Sequence, residues 1–130
     1  MLVIDASVLA VALGDDGTQG TRARNRLLGE VLFAPELIDL EVLSVLRRGV
    51  ATAAMTARRG EEAMADLIDL PIRRALHRPL LGRCWELRHN LTCYDASYVA
   101  LAETLNIPLV TADARLAHAP GLRCAVELLD

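Results

Sequence analysis

Short runs, apolar but for Thr111, recur along this chain at wide intervals: LVI at 2–4, VLFA at 31–34 and PLVT at 108–111. Each is too short for a helix, and none alternates apolar with polar residues as a strand with one wet face would. Each therefore reads as a strand, the first of them buried on both faces. The stretches between them carry helical signals. SVLAVAL (7–13) reads as a helix stopped by the turn-rich GDDGT (14–18), and QGTRARNRLLGE (19–30) as a helix with a polar face. Residues 36–48, closed by basic residues and Gly49, form a third helix. Helices are expected at 56–70, 79–90 and 92–105, a weak strand at 71–76, a short turn or helix at 113–117, and an edge strand at 123–128. Strands alternating with helices predict an α/β fold with a mainly parallel sheet. With 130 residues and no linker, the chain reads as one domain, 1–130.

Two of the buried strands run into a carboxylate. Asp5 follows LVI directly, and Asp113 lies two residues beyond the strand ending at Thr111. In an open parallel sheet, sites form beyond the carboxyl ends of the strands, where strand order reverses. If these strands are neighbours, the two acids meet at one edge. Two further acids look misplaced. Glu41 shares a helix face with Leu37, Ile38 and Val45, and Asp95 opens the apolar stretch ASYVALA. Desolvating an ionised carboxylate is costly unless something pairs with it. Four carboxylates in one pocket would repel each other, and a divalent cation would relieve that; oxygen-only ligands favour Mg2+ or Mn2+.

Each acid also has a local reading. Asp5 can cap the helix that follows it, Asp95 fits a capping box with Thr92, Asp113 can be a turn residue, and Glu41 can lie on a solvated stripe. Asp15, Asp16, Glu61 and Glu62 sit in polar contexts and read as surface charge. His77, His89 and His118 lack metal-ligand spacing.

Composition excludes several chemistries. All fourteen basic residues are arginine, which removes every mechanism that needs a lysine. The net charge of −3 does not suggest a general polyanion binder, and aromatics at 3% argue against a base-stacking platform. Cys84, Cys93 and Cys124 form no C-x-x-C and read as reduced, mostly buried thiols of a cytoplasmic protein. No membrane span is expected.

Together VIDASVL, APELIDLEVLSVLRR, YDASYVALAE and LVTADARL, in that order from Val3 to Leu116, resemble the PIN-domain ribonucleases, specifically the VapC-type toxins of bacterial toxin–antitoxin pairs. The resemblance implies a three-layer α/β/α sandwich around a roughly five-stranded, mainly parallel sheet. It implies that Asp5, Glu41, Asp95 and Asp113 are catalytic and bind Mg2+ or Mn2+, with Ser7 and Thr111 lining the same pocket. Some members carry a further acid soon after the fourth; here Arg115, Leu116 and Ala117 follow, which puts a second tightly held metal in doubt. It further implies a single-stranded or loop RNA substrate cut to 5′-phosphate and 3′-hydroxyl ends, an inhibiting antitoxin with a segment lying across the acidic site, and a homodimer. Separately, the apolar surplus and few aromatics allow an aliphatic docking groove along the 36–70 helices. Arginines at 22, 24, 26, 47, 48, 58, 59, 73, 74 and 78 are compatible with phosphate binding, or with solvated helix faces. Two other classes remain at this level: a non-catalytic partner-binding module, and an aspartate-based phosphatase. The phosphatase lacks its second acid, since Ser7 stands there, and its lysine.

Overall fold

The computed structural model describes residues 1–130. Five strands form one sheet: β1 (Leu2–Ile4), β2 (Leu32–Pro35), β3 (Arg73–Ala75), β4 (Leu109–Thr111) and β5 (Val126–Leu128). Their order is β3-β2-β1-β4-β5, and every neighbouring pair is parallel. The helices are α1 (Ala6–Gly14), α2 (Thr18–Leu27), α3 (Ile38–Ala51), α4 (Ala57–Asp69), α5 (Leu81–Glu86), α6 (Cys93–Leu105) and α7 (Ala114–Ala117), with one 3-10 turn at Arg78–Leu80 before α5.

Handedness gives the layers. From β1 through β3 the chain steps one way across the sheet, and right-handed crossovers place α1 to α4 on one face. It then returns past β1 to β4 and β5, which puts α5 and α6 on the other face. The packing agrees: α1 lies against α2, α3 and α4, whereas α6 lies on β1, β2 and β4. All three residues of β1 and all three of β4 are buried, as their apolar composition requires, with Thr111 the one polar residue among them. Residues Ala96 to Ala102 of α6 are buried on every side, which explains why that helix shows no polar stripe.

The expected fold is the observed one, with adjustments at the ends of elements. The sheet is wholly rather than mainly parallel. Pro35 belongs to β2 instead of ending it, because its ring costs only a ladder donor at the last residue. The third helix starts at Ile38 and passes through Gly49 to Ala51. Gly49 is retained inside the helix, where an added Cβ would come within 3.2 Å of the Met55 side chain. The helix expected at 79–90 shrinks to the 3-10 turn and α5. No helix is long and apolar enough to cross a membrane.

Candidate active site

The pairing of β1 with β4 sets Val3 against Leu109 and Ile4 against Val110. Asp5 extends the ladder by one bond, its N–H donating to the Val110 carbonyl at 2.9 Å. The chain leaves β1 for β2 on one side and meets β4 on the other, so this is the point where strand order reverses. Asp5 and Asp113 therefore share the carboxyl edge. Glu41 comes in from α3 and Asp95 from the first turn of α6. All four acids, with Ser7, line one cleft of about 500 Å3.

Asp5 is 6% exposed and does not cap α1 with its side chain. Its Oδ2 accepts two hydroxyl bonds, from Ser7 and from the fully buried Thr111, each at 2.7 Å. Those hydroxyls accept in turn from the Ala112 and Asp113 amides, each at 3.0 Å. The sequence placed Ser7 and Thr111 at the pocket, and the structure puts both on Asp5. Thr111 lies beneath the cleft rather than on its wall. No buried side-chain polar atom lacks a partner, so Oδ1 of Asp5, with no protein donor, borders the cleft and not the core.

Glu41 is half-buried. Its Oε1 accepts a 2.7 Å bond from the Tyr98 hydroxyl. Burial pushes its carboxyl above the usual range; the Tyr98 bond opposes this, and the charges of Asp5 and Asp95 add to the rise. Asp95 sits at the start of α6, where Thr92 accepts from its N–H at 3.1 Å, the capping bond read from the sequence. Burial also pushes its carboxyl up, followed by repulsion from Asp5 and Asp113. Asp113 is the acid most engaged locally: Oδ1 caps α7 by accepting from the Arg115 amide at 2.9 Å, and Oδ2 lies 3.4 Å from the Arg115 guanidinium.

These residues form an oxygen-only donor set, the chemistry of Mg2+ or Mn2+. No three His, Cys, Asp or Glu side chains close around a common point, so there is no ready-made protein cage. An ion that keeps several waters and takes only one or two carboxylates directly suits such an open set. Asp5, Glu41, Asp95 and Asp113 are the residues that would hold it, one or two of them directly and the others through its waters.

In the sequence Tyr98, the partner of Glu41, looked like one apolar residue among many. Ser44 and Arg48 also line the cleft, at three and seven residues past Glu41 on α3. Arg48 was already compatible with phosphate binding, but its place beside the acids was not read, and helical spacing was the available signal. Tyr94 lines it too and is 68% exposed, so a low aromatic count did not reveal that one of the few stands at the site.

Other expectations are corrected. Most arginines proposed for phosphate are engaged in the fold: Arg26 on Glu127 and Glu30, Arg59 on Asp16, Arg74 on Asp39. Arg24 donates to the Ala12 and Asp15 carbonyls. Asp16 is surface charge as expected and pairs there with Arg59, whereas Asp15 accepts from the Gly17 and Gly20 amides at the start of α2. Cys93 is exposed, against the expectation of mostly buried thiols. His77 accepts from the Leu37 amide at 3.0 Å, which fixes the entry to α3.

Residues 2–122 match the PIN domain family. The chain is 41% identical over 128 residues to Ribonuclease VapC1 of Mycobacterium tuberculosis (strain ATCC 25618 / H37Rv), across 98% of this chain and 96% of that protein. Among solved structures it is similar to Mycobacterium tuberculosis VapC20, described as a sarcin-ricin loop cleaving toxin. The TM-score is 0.69 at 18% identity, over 89% of this chain and 92% of that one. It is also similar to VapBC2 from Rickettsia felis bound to a DNA fragment from their promoter, with a TM-score of 0.67 at 15% identity, over 99% and 98% of the two chains.

Proposed function

The chain belongs to the PIN-domain family, among the VapC ribonucleases, and on that premise we propose that it is the endoribonuclease toxin of a toxin–antitoxin pair, hydrolysing RNA phosphodiester bonds with the help of Mg2+ or Mn2+. The observation that carries this reading is the gathering of Asp5, Glu41, Asp95 and Asp113, drawn from four separate parts of the chain, into one cleft at the switch point of the sheet.

A divalent ion held by these acids would supply a water of lowered pKa and would offset negative charge on the phosphoryl oxygens. The chain's own groups do the rest. Ser7 and Thr111 fix the rotation of Asp5, so that its free oxygen faces the cleft. Tyr98 fixes Glu41 in the same way from below. A carboxylate that is not a direct ligand orients the attacking water and accepts its proton. The products are a 5′-phosphate and a 3′-hydroxyl.

Membership among the VapC ribonucleases, together with the likeness to the VapBC2 structure, supports an antitoxin partner. A groove of about 390 Å3 between α3 and α4, lined by Leu40, Leu43, Met64 and Ile68, offers the apolar surface expected along the 36–70 helices. Exposed Leu76, Leu81 and Trp85 support self-association into a homodimer. The phosphatase alternative has nothing in its favour, because Ser7 is committed to Asp5 and no lysine exists. The non-catalytic alternative would not call for four acids kept in one cleft.

Purified protein, freed of antitoxin and supplied with Mg2+ or Mn2+, is incubated with total cellular RNA, and new 5′ ends are mapped. Discrete metal-dependent cuts are expected. Asp5→Asn and Asp95→Asn proteins should lose them by at least about a hundredfold. Cutting at the wild-type rate by either variant would refute the four-acid site, and binding of RNA without any cutting would favour the partner-binding module.

A further inference from the structure

A phosphodiester is an anion, and the cleft that should receive it is lined by four carboxylates. One divalent ion offsets only two of those charges. The strand still needs a cation at the site, and the lining contains one cationic side chain, Arg48. Its position follows from α3. Glu41, Ser44, Val45 and Arg48 fall at i, i+3, i+4 and i+7, so a single face of the helix runs along the cleft from carboxylate to guanidinium.

Arg48 is also unengaged. Arg26, Arg59, Arg74 and Arg83 each lie within 3.0 Å of a carboxylate. The Arg48 guanidinium makes no hydrogen bond or ion pair inside the chain, and the residue is exposed. From α6, directly before Asp95, the largely exposed Tyr94 lines the same cleft and borders the apolar groove beside it, next to Trp85.

We propose that Arg48 binds a phosphate of the RNA strand next to the bond that is cut, while Tyr94 stacks on a neighbouring base. This deepens the ribonuclease reading and rests on it. A guanidinium meets two phosphate oxygens at once. A ring beside it accepts any base whose face is unstacked, which a paired duplex does not offer. The competing role for Arg48 is to complement the negative end of α3, since it lies in the last turn. That role would leave RNA affinity untouched.

The test measures binding of a short, labelled single-stranded RNA of mixed sequence by fluorescence anisotropy, across a salt series without divalent metal. All proteins carry Asp95→Asn, so that nothing is cut. Adding Arg48→Ala should weaken binding about tenfold, the loss of one charged contact, and reduce the slope of log affinity against log salt by about 0.7. Arg48→Lys should recover part of the affinity. Adding Tyr94→Ala should also weaken binding about tenfold, and Tyr94→Phe should not. Arg47→Ala, one residue earlier and outside the cleft, controls for general loss of charge. In the parent sequence, Arg48→Ala should keep its melting temperature and its Mn2+ affinity, read by electron paramagnetic resonance.

The proposal is overturned if Arg48→Ala binds within twofold of its parent with the same salt slope, if Arg47→Ala loses as much, if Mn2+ affinity falls with Arg48→Ala, or if Tyr94→Ala binds as its parent does. Failure of the ribonuclease reading has a different signature: the unsubstituted protein with Mg2+ or Mn2+ leaves total RNA intact.

Discussion

Tyr98, buried on α6, donates a 2.7 Å hydrogen bond to Oε1 of Glu41 on α3, across fifty-seven residues of sequence. The bond joins the helix layers on the two faces of the sheet at the level of the cleft. It also leaves only the second oxygen of Glu41 free. A buried tyrosine hydroxyl needs a partner, and the charges of Glu41, Asp5 and Asp95 around this one hold its pKa far above the usual phenol value, after burial itself. Tyr98 is a neutral donor at every working pH.

Replacing Tyr98 with Phe keeps the ring and removes the donor. Mn2+ affinity should fall on the order of tenfold, the usual cost of losing a group that orients a metal ligand. Stability should fall by about 1 kcal/mol. Electron paramagnetic resonance and urea unfolding measure the two effects. Mn2+ affinity within twofold of the unsubstituted protein would mean that Glu41 is positioned by its helix alone.

Thr111 and Ser7 share Oδ2 of Asp5, but only Thr111 is wholly buried. Thr111→Val retains the shape and leaves both Asp5 and the Asp113 amide short of a partner. It should cost about 1–3 kcal/mol and slow cleavage more than tenfold. Ser7→Ala, where water can enter, should cost less. Equal stability of Thr111→Val and unsubstituted protein in urea would contradict this account.

The carboxyls of Glu41 and Asp95 sit above their unfolded values, so the folded state binds their protons more tightly than the unfolded state does. Stability from these groups is fully present below the unfolded carboxylate range, about pH 4, and is lost as pH rises through the folded values. In EDTA at neutral pH, Asp95→Asn should therefore melt at a higher temperature than the unsubstituted protein. That gap should shrink towards pH 4. Added Mg2+ should raise the melting temperature of the unsubstituted protein more than that of the variant. Thermal melts at two pH values decide the matter, and a lower melting temperature for the variant at neutral pH would reverse the sign.

Two glycines give a stability contrast away from the cleft. A Cβ on Gly20 would lie 1.8 Å from the Asp15 carbonyl oxygen, in the turn where the Asp15 carboxylate accepts from the Gly20 amide. Gly82, inside α5, has open space around it. Gly20→Ala should lose at least about 1–3 kcal/mol, whereas Gly82→Ala should gain up to about 1 kcal/mol from helix propensity. Chemical denaturation of both variants checks the pair.

By itself the sequence determined the elements and the identity of the four acids. Both are local: apolar runs too short for a helix read as buried strands, and an acid at the end of such a run, or inside an apolar helix face, announces itself within a few residues. Asp5, Glu41, Asp95 and Asp113 were legible for that reason, as were Ser7 and Thr111 through the family resemblance. Tertiary structure alone decided that β1 and β4 are neighbours, that Tyr98 serves Glu41, that Arg26 is held by Glu127 101 residues away, and that Arg48 faces the cleft. The physical reason is that a periodic pattern states which face of an element is buried but not what it is buried against. Partners are chosen by strand order and helix packing, which depend on the whole chain closing around one core.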